Sequence, residues 1–149
     1  MGTRARIGIQ LKDNSVLSVY HHWDGYPEWL GRILKTHYNS KEKASELIDG
    51  GDMSCAWTTE RWNKDLNEFG GATRNEEGTE YGPQYYSQRG EECPPRYDDS
   101  IFDYLEKDNN EEYAYVWTVN NKWVCMNMNQ FDNTKIPEKV SIPSGALAC

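Results

Sequence analysis

Arg4-Ala5-Arg6-Ile7-Gly8-Ile9-Gln10-Leu11 alternates strictly. Ala5, Ile7, Ile9 and Leu11 are apolar, while Arg4, Arg6, Gly8 and Gln10 are polar or small. Period two predicts a half-buried strand with one face on a core. Asp13-Asn14-Ser15 carries turn chemistry, and the Val-, Tyr- and Trp-rich residues 16–23 return as the second strand of a hairpin. At the other end of the chain, residues 112–119 and 122–128 repeat the pattern around Asn120-Asn121, which tolerates the positive φ of a two-residue turn. Two hairpins make the fold sheet-based.

Helical spacing appears between them. Pro27 suits a first helical position, and Leu30, Ile33, Leu34 and His37 then recur at intervals of three and four. Ser40 caps a second helix over 41–49, which Gly50-Gly51 ends. Trp62 and Leu66 predict a short helix over 58–68, residues 72–80 a loop, 84–88 a short strand and 100–107 a helix. The expected class is α+β: an antiparallel sheet of four or five strands with two to four packed helices. A single domain over 1–131 is expected, followed by a C-terminal tail, 132–149, that wraps or frays.

Ile, Leu, Val and Phe number only 24 of the 149 residues, a share that with a net charge of −8 points toward disorder. Six Trp, ten Tyr and three Phe reverse that inference, because disordered chains are poor in rings. Trp57, Trp62, Trp117 and Trp123 are therefore assigned to the core. Charge is uneven: net +2 over 1–40, −10 over 41–111 and 0 over 112–149. The acidic middle repels phosphate backbones, which argues against general nucleic-acid binding. It serves solubility, or meets a basic surface on a protein partner. The four cysteines form no C-x-x-C pair, and no apolar leader or membrane-length segment is seen. Free thiols, a cytoplasmic location and no membrane contact are expected.

The phosphate-loop, dinucleotide, zinc-protease, nucleophile-elbow and EF-hand motifs are absent from the sequence. The densest chemical cluster is Tyr20-His21-His22-Trp23-Asp24-Gly25-Tyr26-Pro27. Adjacent strand residues face opposite sides, so His21 and His22 cannot share one metal. His22 and Asp24 share a parity, but a third ligand such as His37 or Cys93 would have to come from afar, so no metal or cofactor is expected. The same parity allows a carboxylate-oriented imidazole, the pattern of a general base, with Thr3, Ser54 or Cys55 as distant nucleophile candidates. An anion pocket is the other reading. Arg4 and Arg6 project from one strand face, Thr3 adds a hydroxyl, and Arg89 approaches from a later segment. Trp23, Tyr26, Tyr85 and Tyr86 offer plates for a flat group. Each feature also has a plain structural use: the arginines can pair with the acidic segment, and Asp24 and Pro27 can set a strand-to-helix corner.

His22-Trp23-Asp24-Gly25-Tyr26-Pro27, with Gly2-Thr3-Arg4 before it and Gly31-Arg32-Ile33-Leu34, His37-Tyr38, Gly51-Asp52-Met53-Ser54 and Arg89-Gly90-Glu91 after it, resembles a group of small bacteriophage and prophage proteins marked by the H-W-D-G-Y-P block. The resemblance spans roughly residues 1–92. Relatives often carry Cys at the position of His21, and Arg-Asp-Arg where this chain has Ser87-Gln88-Arg89. It implies a phage accessory protein in the cytoplasm of an infected bacterium and supplies no catalytic residues. The expected function is a non-catalytic binding module for a host protein or a small anionic, nucleotide-like ligand. The ligand set is Thr3, Arg4, Arg6, His22, Trp23, Asp24, Tyr26 and Arg89. The alternatives are a small hydrolase or transferase using His22 and Asp24 on such a ligand, and a purely structural or interaction protein.

Overall fold

The computed structural model describes residues 3–58, 62–63, 68–69, 82–106, 111–128 and 138–143, with 58, 62–63, 68–69, 82, 84, 88–89 and 106 in backbone only. The first hairpin forms from β1 (Ala5–Gln10) and β2 (Val16–His21), in antiparallel register from Ala5↔His21 to Gln10↔Val16. Its turn places Asn14 at φ 72°. A π-helical turn, Pro27–Gly31, leads into α1 (Arg32–His37). Ser40 caps α2 (Lys41–Asp49) by accepting from Lys43 N at 3.1 Å. The chain continues through β3 (Met53–Thr58), the short strands β4 (Trp62–Asn63) and β5 (Glu68–Phe69), β6 (Gly82–Tyr85) and a 3-10 turn, Tyr86–Arg89. Then come β7 (Arg96–Asp98), α3 (Ile101–Glu106), the second hairpin β8 (Tyr113–Trp117) and β9 (Trp123–Asn127), and β10 (Glu138–Val140).

The molecule is α+β, but its main sheet is larger than the hairpins predict and is mixed. Seven strands run β10-β9-β8-β1-β2-β3-β6, and β7 joins as an eighth beside β2. Two pairings are parallel: β1 with β8, from Ala5↔Tyr113 to Ile9↔Trp117, and β2 with β3 at His21↔Met53. The helix expected over 58–68 is replaced, at its described positions, by extended backbone: Trp62 and Asn63 pair with Phe69 and Glu68. Leu66, the other half of the spacing with Trp62, lies outside the described residues. β10 pairs with β9, and just beyond it Ile142 packs against Gly31, while its carbonyl accepts from Lys35 Nζ at 3.4 Å.

Alternation sorts the sheet into two faces. One carries Ala5, Ile7, Ile9, Val19, Tyr115, Trp117, Trp123 and Cys125 beneath Leu30, Ile33, Leu34, Leu47 and Ile48 of the helical segment. Full burial of an aliphatic side chain contributes about 1.5–3 kcal/mol, so this layer is the main cohesive element. Three of the rings that replace missing aliphatics satisfy their polar tips on backbone, while the buried Trp117 Nε1 has no partner among the described residues. Tyr38 Oη donates to Ala56 O at 2.8 Å, Tyr115 Oη to Gly25 O at 2.7 Å, and Trp123 Nε1 to Tyr38 O at 3.0 Å. On the opposite face α3 covers a smaller cluster, in which Tyr104 packs with Val16, Ala114 and Val116. Tyr104 Oη donates to Tyr115 O at 2.8 Å. This cover ends at Gly8, and the strand end beyond it is polar.

Candidate functional site

The polar strand end is built from β1 and β2. On that face Arg6 stands opposite Tyr20, and Gly8 opposite Ser18. Continuing the alternation puts Arg4 and His22 on the same side. Three backbone ties hold the β2 end. His22 N donates to Met53 O at 3.2 Å, and Trp23 N donates to Ser54 O at 3.0 Å. Between β7, which pairs with residues 16–18, and β3, which takes over at His21, Tyr20 N would lack a strand partner; Asp52 Oδ1 accepts from it at 2.8 Å. Gly51, at φ 88°, brings this segment against Cys93 O, where a Cβ would collide.

His21 and His22 face opposite sides, as alternation requires. His21 is fully buried, its Nε2 accepting from Ala56 N at 3.0 Å and its ring 6.2 Å from that of Trp29. Its Nδ1 has no hydrogen-bond partner among the described residues. Burial, and to a lesser extent neighbouring His22, push its pKa down to about 3, so it is a neutral core group. His22 is half-buried, and its Nδ1 meets the Tyr20 hydroxyl at 2.7 Å. A phenol is the natural donor to a neutral imidazole, which places the ring proton on Nε2. Partial burial and then the Arg4 charge lower the pKa of His22. Tyr20 is raised by burial, against the opposing effect of Arg4. The site therefore presents a neutral imidazole N–H beside a guanidinium.

The two arginines of the opening strand divide. Arg6 donates from Nε to Ser18 Oγ at 2.9 Å and from Nη1 to Glu111 Oε1 at 3.2 Å, with 12% and 6% of the two ion-paired side chains exposed. Arg6 is a structural residue, spent on a buried pair. Burial raises the Glu111 pKa, and Arg6 opposes that rise. Arg96, opposite Ser18, extends the row through its bond to Asp98 Oδ2 at 3.0 Å. Its buried Nη2 has no partner among the described residues. Arg4 is half-buried and makes no ion pair among the described residues.

The rest of the expected set is dispersed in role. Trp23 is 47% exposed, with its ring 4.4 Å from His22 at an edge-to-face angle of 83°. Asp24 is exposed at φ 54°, and no hydrogen bond joins it to His22 among the described residues. The parity that suggested a His22–Asp24 dyad ends at this left-handed residue. Thr3 meets the corner through its backbone: its carbonyl accepts from Gly25 N at 2.7 Å. A Cβ at Gly25 would lie 2.6 Å from Ala5 Cβ, so the corner requires glycine there. Tyr26 is half-buried and opens the π-helical turn, its carbonyl accepting from both Trp29 N and Leu30 N. Arg89 lies in the 3-10 turn, and its side chain falls outside the described residues. Tyr85 is committed elsewhere, donating to Leu47 O at 2.7 Å. Ser54 is buried, and Cys55 Sγ meets Trp57 O at 3.5 Å. His37 stacks on Trp57 at 3.6 Å. No group of three or more His, Cys, Asp or Glu is placed to hold a metal among the described residues. No helix there is long and apolar enough to cross a membrane.

Sequence reasoning missed Tyr20, Asp52, Glu111 and Arg96. Tyr20 was within reach, since it shares its parity with His22. The other three arrive from distant segments. Compared with family models, curated proteins and solved structures, the chain matches none.

Proposed function

We propose that this chain is a non-catalytic binding module that takes a small anionic ligand at the Arg4–His22 end of the sheet, in the manner of a phage accessory protein. The observation that carries the reading is Arg4. It is a half-buried guanidinium, without an ion-pair partner among the described residues, beside an imidazole kept neutral with an N–H to donate. A guanidinium and an N–H aimed at one oxyanion make charge-assisted hydrogen bonds, roughly twice as strong as neutral ones. The supports are rigid: Tyr20 orients His22, Asp52 holds Tyr20, and β3 pins the backbone. Thr3 and Tyr26 flank the site, and Asp24 serves it by turning the chain. Binding favours a module over a catalyst because His22 is oriented by a phenol rather than by a carboxylate that would raise its basicity.

Titration of the intact protein with inorganic phosphate, followed by amide and imidazole chemical shifts, tests this. Saturable shifts centred on Arg4, Tyr20, His22 and Trp23, lost in Arg4→Ala at unchanged unfolding midpoint, are expected. Shifts centred elsewhere, or binding intact in Arg4→Ala, overturn it.

A further inference from the structure

We infer that the ligand of this site is a mononucleotide, its phosphate on Arg4 and His22 and its base laid on Trp23. The inference rests on the anion reading above and adds the ring. Trp23 is the largest side-chain type in the protein, and almost half of its surface faces solvent. A single exposed aliphatic would need no explanation; a large indole left open beside a polar site does. This indole is not on a free loop. The backbone amide of Trp23 donates to Ser54 O and that of His22 to Met53 O, and the His22 ring stands edge to face against the indole. The plate is carried on pinned backbone beside His22, so part of its ordering cost is met before a ligand arrives.

The other plates available in the sequence are accounted for by the structure. Tyr85 packs over Gly50 with its hydroxyl on α2, Tyr26 is half-buried at the start of the π-helical turn, and Tyr86 is half-buried in the 3-10 turn, its backbone N–H donating to Asp52 O at 3.1 Å. Trp23 is thus the plate that remains large and open at the site. A bare phosphate or a sugar phosphate would leave it unused. A nucleic-acid strand would use it, but a chain of net charge −8 repels a polyanion far more than one phosphate group. The combination selects one base and one anionic group.

Isothermal titration of the full chain with AMP, GMP, CMP, UMP, ribose 5-phosphate and octathymidylate separates the possibilities. At least one mononucleotide should bind about tenfold or more tighter than ribose 5-phosphate, the margin that stacking one base on an aromatic ring supplies. Trp23→Ala should bring the mononucleotide affinity down to that of ribose 5-phosphate measured on the same variant, while Trp23→Phe should keep part of the margin. If all four mononucleotides bind no better than ribose 5-phosphate, the ring is wrong and the anion site stands. Octathymidylate binding tighter than every mononucleotide overturns the choice of a single nucleotide. If neither ribose 5-phosphate nor any nucleotide binds, the anion site falls with it.

Discussion

His21 and His22 are consecutive, yet the two faces of the sheet put the same side chain to opposite uses. On the helix-covered face the ring of His21 is an apolar filler with one hydrogen bond, and the proton it would take up in water is refused. On the other face His22 is half-open, tied to a phenol and set near Arg4, which makes no ion pair among the described residues. The difference comes from what lies above each face. Helices α1 and α2 exclude water from one side along its whole length, whereas α3 stops short on the other and leaves four charged groups and a tyrosine–histidine pair to satisfy one another. Cohesion and chemistry are thereby separated by the thickness of one strand.

The comparison breaks most visibly at Arg6, a residue of the polar face whose ion pair with Glu111 is buried like core. Arg6→Ala leaves Glu111 buried without its cation and should lower stability by about 3–5 kcal/mol in urea unfolding. Replacing both partners, Arg6→Leu with Glu111→Leu, should restore most of that loss. A single variant that costs less than about 1 kcal/mol would show that water reaches the pair and that the face is open throughout.

The next largest effect lies in pH. Unfolded His21 titrates near 6.5, and folded His21 near 3. The folded state therefore holds its advantage above pH 6.5 and loses it as pH falls toward 3. His21→Cys, which removes the imidazole, removes this contribution. Between pH 7 and pH 5 the wild type should lose about 2 kcal/mol more stability than the variant. Equal losses would mean that His21 takes up its proton in the folded chain.

The smallest effect sharpens the polar side. Asp52→Ala removes the acceptor of Tyr20 N and should cost about 1 kcal/mol. Its larger signature is spectroscopic: imidazole nitrogen shifts should report His22 moving from a single Nε2–H tautomer to a mixture, while Asp52→Asn, which keeps an acceptor oxygen, should not. An unchanged tautomer in Asp52→Ala would detach Asp52 from the site.

Much of the local structure was legible because it is written in periods. Residues 4–11 alternate because one face of β1 is core, and Ser40 and Pro27 mark the helix starts they would mark in any chain. The neighbours of each strand were not legible. Nothing in the alternation of residues 4–11 says that they align with 113–117, since parallel pairing joins segments with no turn between them. The sheet therefore came out mixed and broader than two hairpins suggest. β7 and β10, three residues each, are too short to show any period. At the site, the His-Trp-Asp block was located correctly as a strand-to-helix junction, but its partners were misjudged. Asp24 adopts a left-handed turn, so residue parity stopped being a guide one residue before it was used. Asp52 reaches the site by accepting from Tyr20 N, and Glu111 claims Arg6; both need the fold to bring them in.

The position of β1 sets a timetable for synthesis. It leaves the ribosome before every other strand described, yet it lies in the middle of the sheet, and its partner from Ala5↔Tyr113 onward follows about a hundred residues later. At ribosomal speeds of about 5–20 residues per second, that partner follows some 5–20 s later. The first hairpin thus spends seconds with one long apolar strand edge unclaimed. Over that interval the nascent chain is exposed to chaperones and to neighbouring copies on the same polysome, and the central sheet closes only once β8 has emerged.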